Sequence, residues 1–250
     1  MIILYISALP KTKSGGPRHS VPKQIAAQAK IDNVYWINLN PYGVEDSEIK
    51  CNIIPEPYKF QLESLVSPYN KPDLVVFEDL YYLEFCVIGR ELRRKKIPYI
   101  IIPRGSLTNA AQSIKAMKKR FGNFFIFNRL IKNAVAIQYL TEAEYKSSGD
   151  GWNKRKIIIP NGVEPKQNIK EWSRKGKELK GIFIGRMNVY HKGLDFLMEA
   201  CIQLKQELIE HQCTIGLFGP DRNGAKKMLS DRINENGLEN IFSLRDEIYG

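Results

Sequence analysis

With 250 residues the chain can form one large domain or two small ones, and its 43% hydrophobic content suits a protein with a real core. A net charge of +11 favours polyanionic partners (nucleic acid, acidic lipid headgroups or phosphorylated substrates) without choosing among them. The four cysteines, Cys51, Cys86, Cys201 and Cys213, are scattered and lack C-x-x-C spacing. That argues against a zinc site or a disulfide framework and for a reducing, cytoplasmic compartment.

The apolar run from Met1 to Pro10 has no leading basic residues and is too short to span a bilayer, so it reads as a strand over 2–7 rather than a signal peptide. A basic loop follows, Lys11 to Ser20, with the pair Gly15-Gly16, and then a helix over 20–30 with Pro22 near its first turn. Two glycines permit close backbone approach and can turn their amides toward a phosphate. The bland alternative is a flexible basic surface turn, with His19 a solvated loop residue. Strands over 34–39 and 51–54, a helix over 58–67 and a strand over 73–77 come next. Glu78 and Asp79 directly follow that strand, where their carboxylates can face a crevice at the sheet's carboxyl edge.

A helix over 81–95 and a strand over 98–102 lead to Pro103-Arg-Gly-Ser-Leu107. Arg104 and Gly105 there read either as site residues or as a turn glycine with an arginine paired to an acidic neighbour. A long helix is predicted over 109–133. Its segment 112–133 holds six basic residues and no acidic one, interleaved with Phe121, Phe124, Phe125 and Phe127. A basic helix with an aromatic face suits an anionic membrane interface. Spacing equally allows phenylalanines in the core and lysines in water.

A strand over 134–139, a helix over 141–148 opened by the capping box Thr141-Glu-Ala-Glu144, and a strand over 156–159 complete an amino-terminal domain, 1–163. The polar, aperiodic stretch 164–177 reads as a linker. Beyond it, strands over 181–184, 213–218 and 240–244 alternate with helices over 193–210 and 222–236, the second stopped at Gly237. Such alternation indicates an α/β fold with mainly parallel sheets. The second domain, 178–250, would hold only the start of a doubly wound sheet.

Gly181 to Ala200 is the most informative stretch. A short buried strand, Ile182 to Ile184, leads through a glycine turn to Arg186 and Lys192 and into an amphipathic helix. This order sets both cations at a strand's carboxyl end beside a helix amino terminus, where anions bind. Two cations and a helix dipole suit a diphosphate better than a single carboxylate. His191 reads as a loop residue.

Taken in order, several short motifs resemble the retaining glycosyltransferase family 4, the group 1 glycosyltransferases. They are Gly15-Gly16, Pro103-Arg-Gly-Ser-Leu107, Thr141-Glu-Ala-Glu144, Pro160-Asn-Gly-Val163, Gly185-Arg186 with Lys192-Gly193, and Phe218-Gly-Pro-Asp221. The resemblance implies a GT-B fold built from two Rossmann-like domains. It implies sugar transfer from a nucleotide-sugar donor to an acceptor hydroxyl with retention at the anomeric carbon, in surface polysaccharide biosynthesis. Arg186 and Lys192 would stabilise the departing nucleoside diphosphate, with Gly15, Gly16, Gly185 and Gly219 on the donor phosphates. Arg104, Gly105, Glu78 and Asp79 would meet an acceptor saccharide or lipid-linked glycan. No cofactor or metal is expected, because the cations take that role and no Asp-x-Asp cluster is present; nor is nucleic acid. The expected location is cytoplasmic, peripheral on the inner face of the membrane through 112–133.

The family's Glu-x7-Glu signature, which holds the donor sugar and ribose, is not found in its place. Glu199 with Glu207 and Glu239 with Glu247 have the spacing but lie in the first helix after the linker and beside the third strand. The expectation is a fragment of a longer enzyme, or a protein that works without that half-site. The rival reading is a non-catalytic module that binds glycan, lipid or a partner.

Overall fold

The structure, a computed structural model, describes residues 1–11, 16–41, 43–44, 47–163, 178–190 and 192–248. The predicted linker, 164–177, lies outside the described residues. The chain divides into two compact units, Met1–Pro165 and Lys166–Gly250.

In the first unit seven strands form one parallel sheet. They are β1 (Ile2–Ser7), β2 (Asn33–Asn38), β3 (Cys51–Ile53), β4 (Leu74–Glu78), β5 (Tyr99–Ile102), β6 (Ala136–Tyr139) and β7 (Lys156–Ile158), in the order β3-β2-β1-β4-β5-β6-β7. The order reverses between β1 and β4, the switch point at which such sheets open a crevice. Ile3 and Tyr5 face one side and Leu4 and Ile6 the other, and all four are buried, as parallel strands covered on both faces require. Leu4 and Ile6 share a core with Phe85 and Ile88 of α2 (Leu83–Arg94) and Leu130 and Ile131 of α5 (Asn128–Asn133). Ile3 and Tyr5 lie under Val21 and Ile25 of α1 (Gly16–Ala29).

Two predicted helices of this unit take another form. The stretch 58–67 makes only single 3₁₀ turns, Pro57–Lys59 and Leu62–Ser64. Its shape is set by burial of Phe60 and Leu62 and by a bond from the Leu62 amide to Glu91 Oε1 at 2.9 Å. The long helix over 109–133 divides into α3 (Asn109–Ser113), α4 (Ala116–Gly122), a π-helical turn (Asn123–Phe127) and α5. Ile114 is extended and Lys115 left-handed at φ 55°. The break is held by contacts rather than by glycine or proline: Lys119 Nζ donates to the Ala111 carbonyl, and buried Asn123 donates to Gln112 Oε1 at 3.1 Å. α6 (Glu142–Ser148) begins where the capping box places it, with Thr141 Oγ1 accepting from the Glu144 amide at 3.0 Å.

The second unit has three parallel strands, β8 (Leu179–Ile184), β9 (Cys213–Phe218) and β10 (Phe242–Arg245), in the order β10-β9-β8. Leu194, Met198 and Cys201 of α7 (Leu194–Gln203) and Leu229 and Ile233 of α9 (Ala225–Glu235) share one core with Leu217 and Phe242. Both helices thus pack on the same sheet face. The predicted buried strand is corrected accordingly: Ile182 and Ile184 point to the other face and are 66% and 68% exposed. The predicted helix over 193–210 breaks at Leu204, and α8 (Lys205–Glu210) follows.

Candidate functional site

At the carboxyl edge of the seven-stranded sheet, β4 ends in Glu78 with Asp79 directly after it, and β5 runs into Arg104-Gly105. Asp79 and Arg104 both hold left-handed backbone, at φ 89° and 49°. Non-glycine residues in that region are unfavourable and gather at functional sites. Arg104 Nε donates to Glu78 Oε2 at 2.8 Å, Nη2 to Gln24 Oε1 at 3.0 Å, and Nη1 to Ser20 Oγ at 3.0 Å and Asn161 Oδ1 at 3.4 Å. One guanidinium therefore ties β4 and β5 to α1 and to the turn at Asn161. The Arg104 and Glu78 side chains are 5% and 0% exposed and form a buried ion pair.

The pairing is incomplete. Glu78 Oε1 is buried without a hydrogen-bond partner among the described residues. Burial pushes the Glu78 carboxyl above its ordinary value, with the Arg104 charge opposing. Burial raises Asp79 as well, against the Leu80 amide that bonds Asp79 Oδ1 at 2.7 Å. Gly105, at φ 85°, donates its amide to Glu144 Oε1 at 2.5 Å, while Glu144 Oε2 accepts from the Leu140 amide at 2.7 Å. The acid of the capping box thus fixes the Arg104-Gly105 turn too.

The loop leaving β1 is clamped by residues that sequence reasoning missed. Asn38 Oδ1 accepts from the Leu9 amide at 2.7 Å and from Ser7 Oγ at 3.0 Å, and Asn40 Nδ2 donates to the Ala8 carbonyl at 2.7 Å. The one signal for them was two asparagines at the end of a strand. Gly15 lies outside the described residues. Gly16 opens α1, exposed, and a Cβ there would meet nothing within 4 Å, so the fold itself does not demand glycine.

In the second unit β8 and β9 continue side by side past their last ladder residues. The Gly185 amide donates to Phe218 O at 2.9 Å, Met187 to Pro220 O at 2.9 Å, and Arg222 to Met187 O at 3.1 Å. Gly219 sits at φ 152°, and a Cβ there would lie 1.8 Å from the Gly185 carbonyl oxygen. Glycine at 219 is therefore demanded by the contact of the two loops. The chain then turns tightly into α7, with Lys192 N bonded to Asn188 O at 3.1 Å and Leu194 N to Val189 O at 2.9 Å. Arg186 and Lys192 flank this turn, both exposed, and among the described residues neither is held in an ion pair. The N-cap of α7 is Gly193, which has no side chain to cap the helix. His191 lies outside the described residues. Glu199 pairs with Arg232 at 2.8 Å, and Glu207 sits on the separate helix α8. Among the described residues no group of three or more His, Cys, Asp or Glu is placed to hold a metal ion.

The architecture is α/β and GT-B-like, with a Rossmann-like amino-terminal unit and a second, smaller one. No protein-family model matches the chain, and no curated protein does. Solved structures match its fold. Anabaena HepE in complex with UDP and glucose is 15% identical at a TM-score of 0.67, over 100% of this chain and 70% of that one. The same protein with UDP gives 17% and 0.65, over 99% and 70%. An E. coli trehalose-6-phosphate structure bound with UDP-2-fluoro glucose gives 12% and 0.58, over 100% and 74%. At such identities the likeness is one of fold.

Proposed function

We propose that the protein is a glycosyltransferase that moves a sugar from a nucleotide-sugar to the hydroxyl of an acceptor saccharide or lipid-linked glycan, with retention at the anomeric carbon. The observation that carries the reading is the turn between β8 and α7. It presents two exposed cations, Arg186 and Lys192, beside a helix amino terminus whose N-cap is a glycine. That arrangement suits a diphosphate. The fold is shared with structures that hold UDP and UDP-glucose, which supports a UDP-sugar as the donor.

As the sugar leaves, charge builds on the phosphate oxygen that had joined it. Cations already in place stabilise that charge without reorganising. They supply the counter-charge that a metal would otherwise bring, so the reading calls for none. Within the second unit the loops at Gly185 and Gly219 are proposed to approach the donor phosphates, with the Gly185 amide itself taken up by Phe218 O. The acceptor is placed at the carboxyl edge of the larger sheet, against Asp79 and Gly105. Arg104 and Glu78 hold that edge in shape. Surface polysaccharide assembly on the cytoplasmic side of a membrane is the setting that fits such an acceptor.

The test is nucleoside diphosphate release, UDP from UDP-glucose and other UDP-sugars and GDP from GDP-sugars, with and without saccharide acceptors. Release by the full chain, lost in Arg186→Ala and Lys192→Ala, is expected. Nucleotide binding without release from any donor would favour the non-catalytic module. Absence of both would overturn the donor site.

A further inference from the structure

Three phenylalanines between α3 and β6 stand in solvent. Phe121 is 62% exposed, Phe124 72% and Phe125 71%, and Met117, one turn earlier, is 76% exposed. The rings form one cluster: Phe121 stacks on Phe125 with centroids 6.3 Å apart, and Phe124 meets Phe125 edge-on at 4.8 Å. Contiguous apolar patches left open on a protein surface mark interaction sites. Positions 117, 121, 124 and 125 follow the three- and four-residue spacing of one helical face. The opposite side is anchored, because Phe127 is buried edge-on against Tyr81 at 5.0 Å and Asn123 and Leu130 are buried with it. The segment is therefore fixed to the core on one side and presents its rings on the other.

The charge around the rings has one sign. Lys115, Lys118, Arg120, Arg129 and Lys132 are all exposed, and no acidic residue occurs from 112 to 133. Among the described residues none of these five is in an ion pair. Lys119 differs, being turned inward to the Ala111 carbonyl with its ammonium 5.3 Å from the Tyr81 ring centroid. Among the described residues no helix is long and apolar enough to cross a membrane.

We propose that this face docks on the surface of an anionic lipid bilayer, with Phe121, Phe124, Phe125 and Met117 at the acyl boundary and the five cations among the phosphate headgroups. A bilayer offers a layer of negative charge directly over an apolar layer, which is the order in which this face presents its complements. The proposal stands apart from the transferase reading, since vesicle binding can succeed or fail whatever the donor experiment shows.

The test is co-sedimentation of the full chain with vesicles of equal parts phosphatidylcholine and phosphatidylglycerol, against phosphatidylcholine alone. The chain should bind the first and not the second, more weakly as salt rises. Phe121→Ser/Phe124→Ser/Phe125→Ser should abolish binding. Lys118→Glu/Arg120→Glu should weaken it at least about fivefold per cation. Lys30→Glu, just past the end of the helix covering the other sheet face, should leave it unchanged. Phe124→Trp should show a blue-shifted emission with the anionic vesicles, which reads insertion without removing the patch. Equal binding by the triple serine variant would overturn the proposal, as would failure of the wild type to bind. A dimer in sedimentation velocity that the serine variant dissolves would overturn it too, by assigning the face to a second copy.

Discussion

Each unit carries an arginine just past the carboxyl end of a strand, and the two are held in opposite ways. Arg104 in Met1–Pro165 is buried, with every guanidinium nitrogen bonded to Glu78, Ser20, Asn161 or Gln24. Arg186 in Lys166–Gly250 is exposed, and its loop is shaped by backbone bonds and by Gly219. Position at a strand end therefore does not by itself fix whether a cation's donors are bonded within the protein. What separates the two is whether the fold already engages its donors. On that view Arg104 should matter to stability and Arg186 to binding.

The largest effect is expected from Arg104→Ala, which strands the buried Glu78 carboxylate. Removing one partner of a buried pair costs about 3–5 kcal/mol, to be read by chemical denaturation of the first unit. A nearly neutral substitution would break the comparison at its root. Gly219→Ala should follow, destabilising the second unit by at least about 1–3 kcal/mol through backbone strain and the clash with Gly185. Gly16→Ala should change stability by less than about 0.5 kcal/mol, because its Cβ meets nothing. Thermal unfolding of the two variants side by side checks both.

The smallest effect lies in pH. Glu78 and Asp79 both have raised values in the folded chain, so they hold protons there that the unfolded chain has released. Between the ordinary carboxylate value and the folded one, this pair makes stability fall as pH rises. Glu78→Gln/Asp79→Asn should flatten the curve in that window. An unchanged slope would mean that the folded chain does not raise these carboxyls.

Much of this was legible in the chain itself. Alternating apolar strands and helical patterns gave the parallel α/β architecture, because parallel strands buried on both faces leave a periodicity any reader can find. The Arg186–Lys192 turn was legible because strand, glycine, cations and helix follow one another locally. The partners of Arg104 were not, since Ser20 and Gln24 lie 84 and 80 residues away. The break of the 109–133 helix was hidden for a similar reason: no glycine or proline marks it, and Lys119 and Asn123 hold it through contacts. The exposure of Ile182 and Ile184 depends on which sheet face α7 and α9 cover, a tertiary choice that strand periodicity does not encode.

The central proposal is that Arg186 and Lys192, exposed and in no ion pair among the described residues, bind a nucleoside diphosphate. Calorimetric titration of UDP into the wild type, Arg186→Ala and Lys192→Ala, beside denaturation of the same three proteins, tests it most directly. Each variant should lose about 1.5–3 kcal/mol of binding, the range for a hydrogen bond to a charged group, while its stability stays within about 0.5 kcal/mol of wild type. Unchanged UDP affinity in both variants, or affinity lost only because the second unit unfolds, would contradict it.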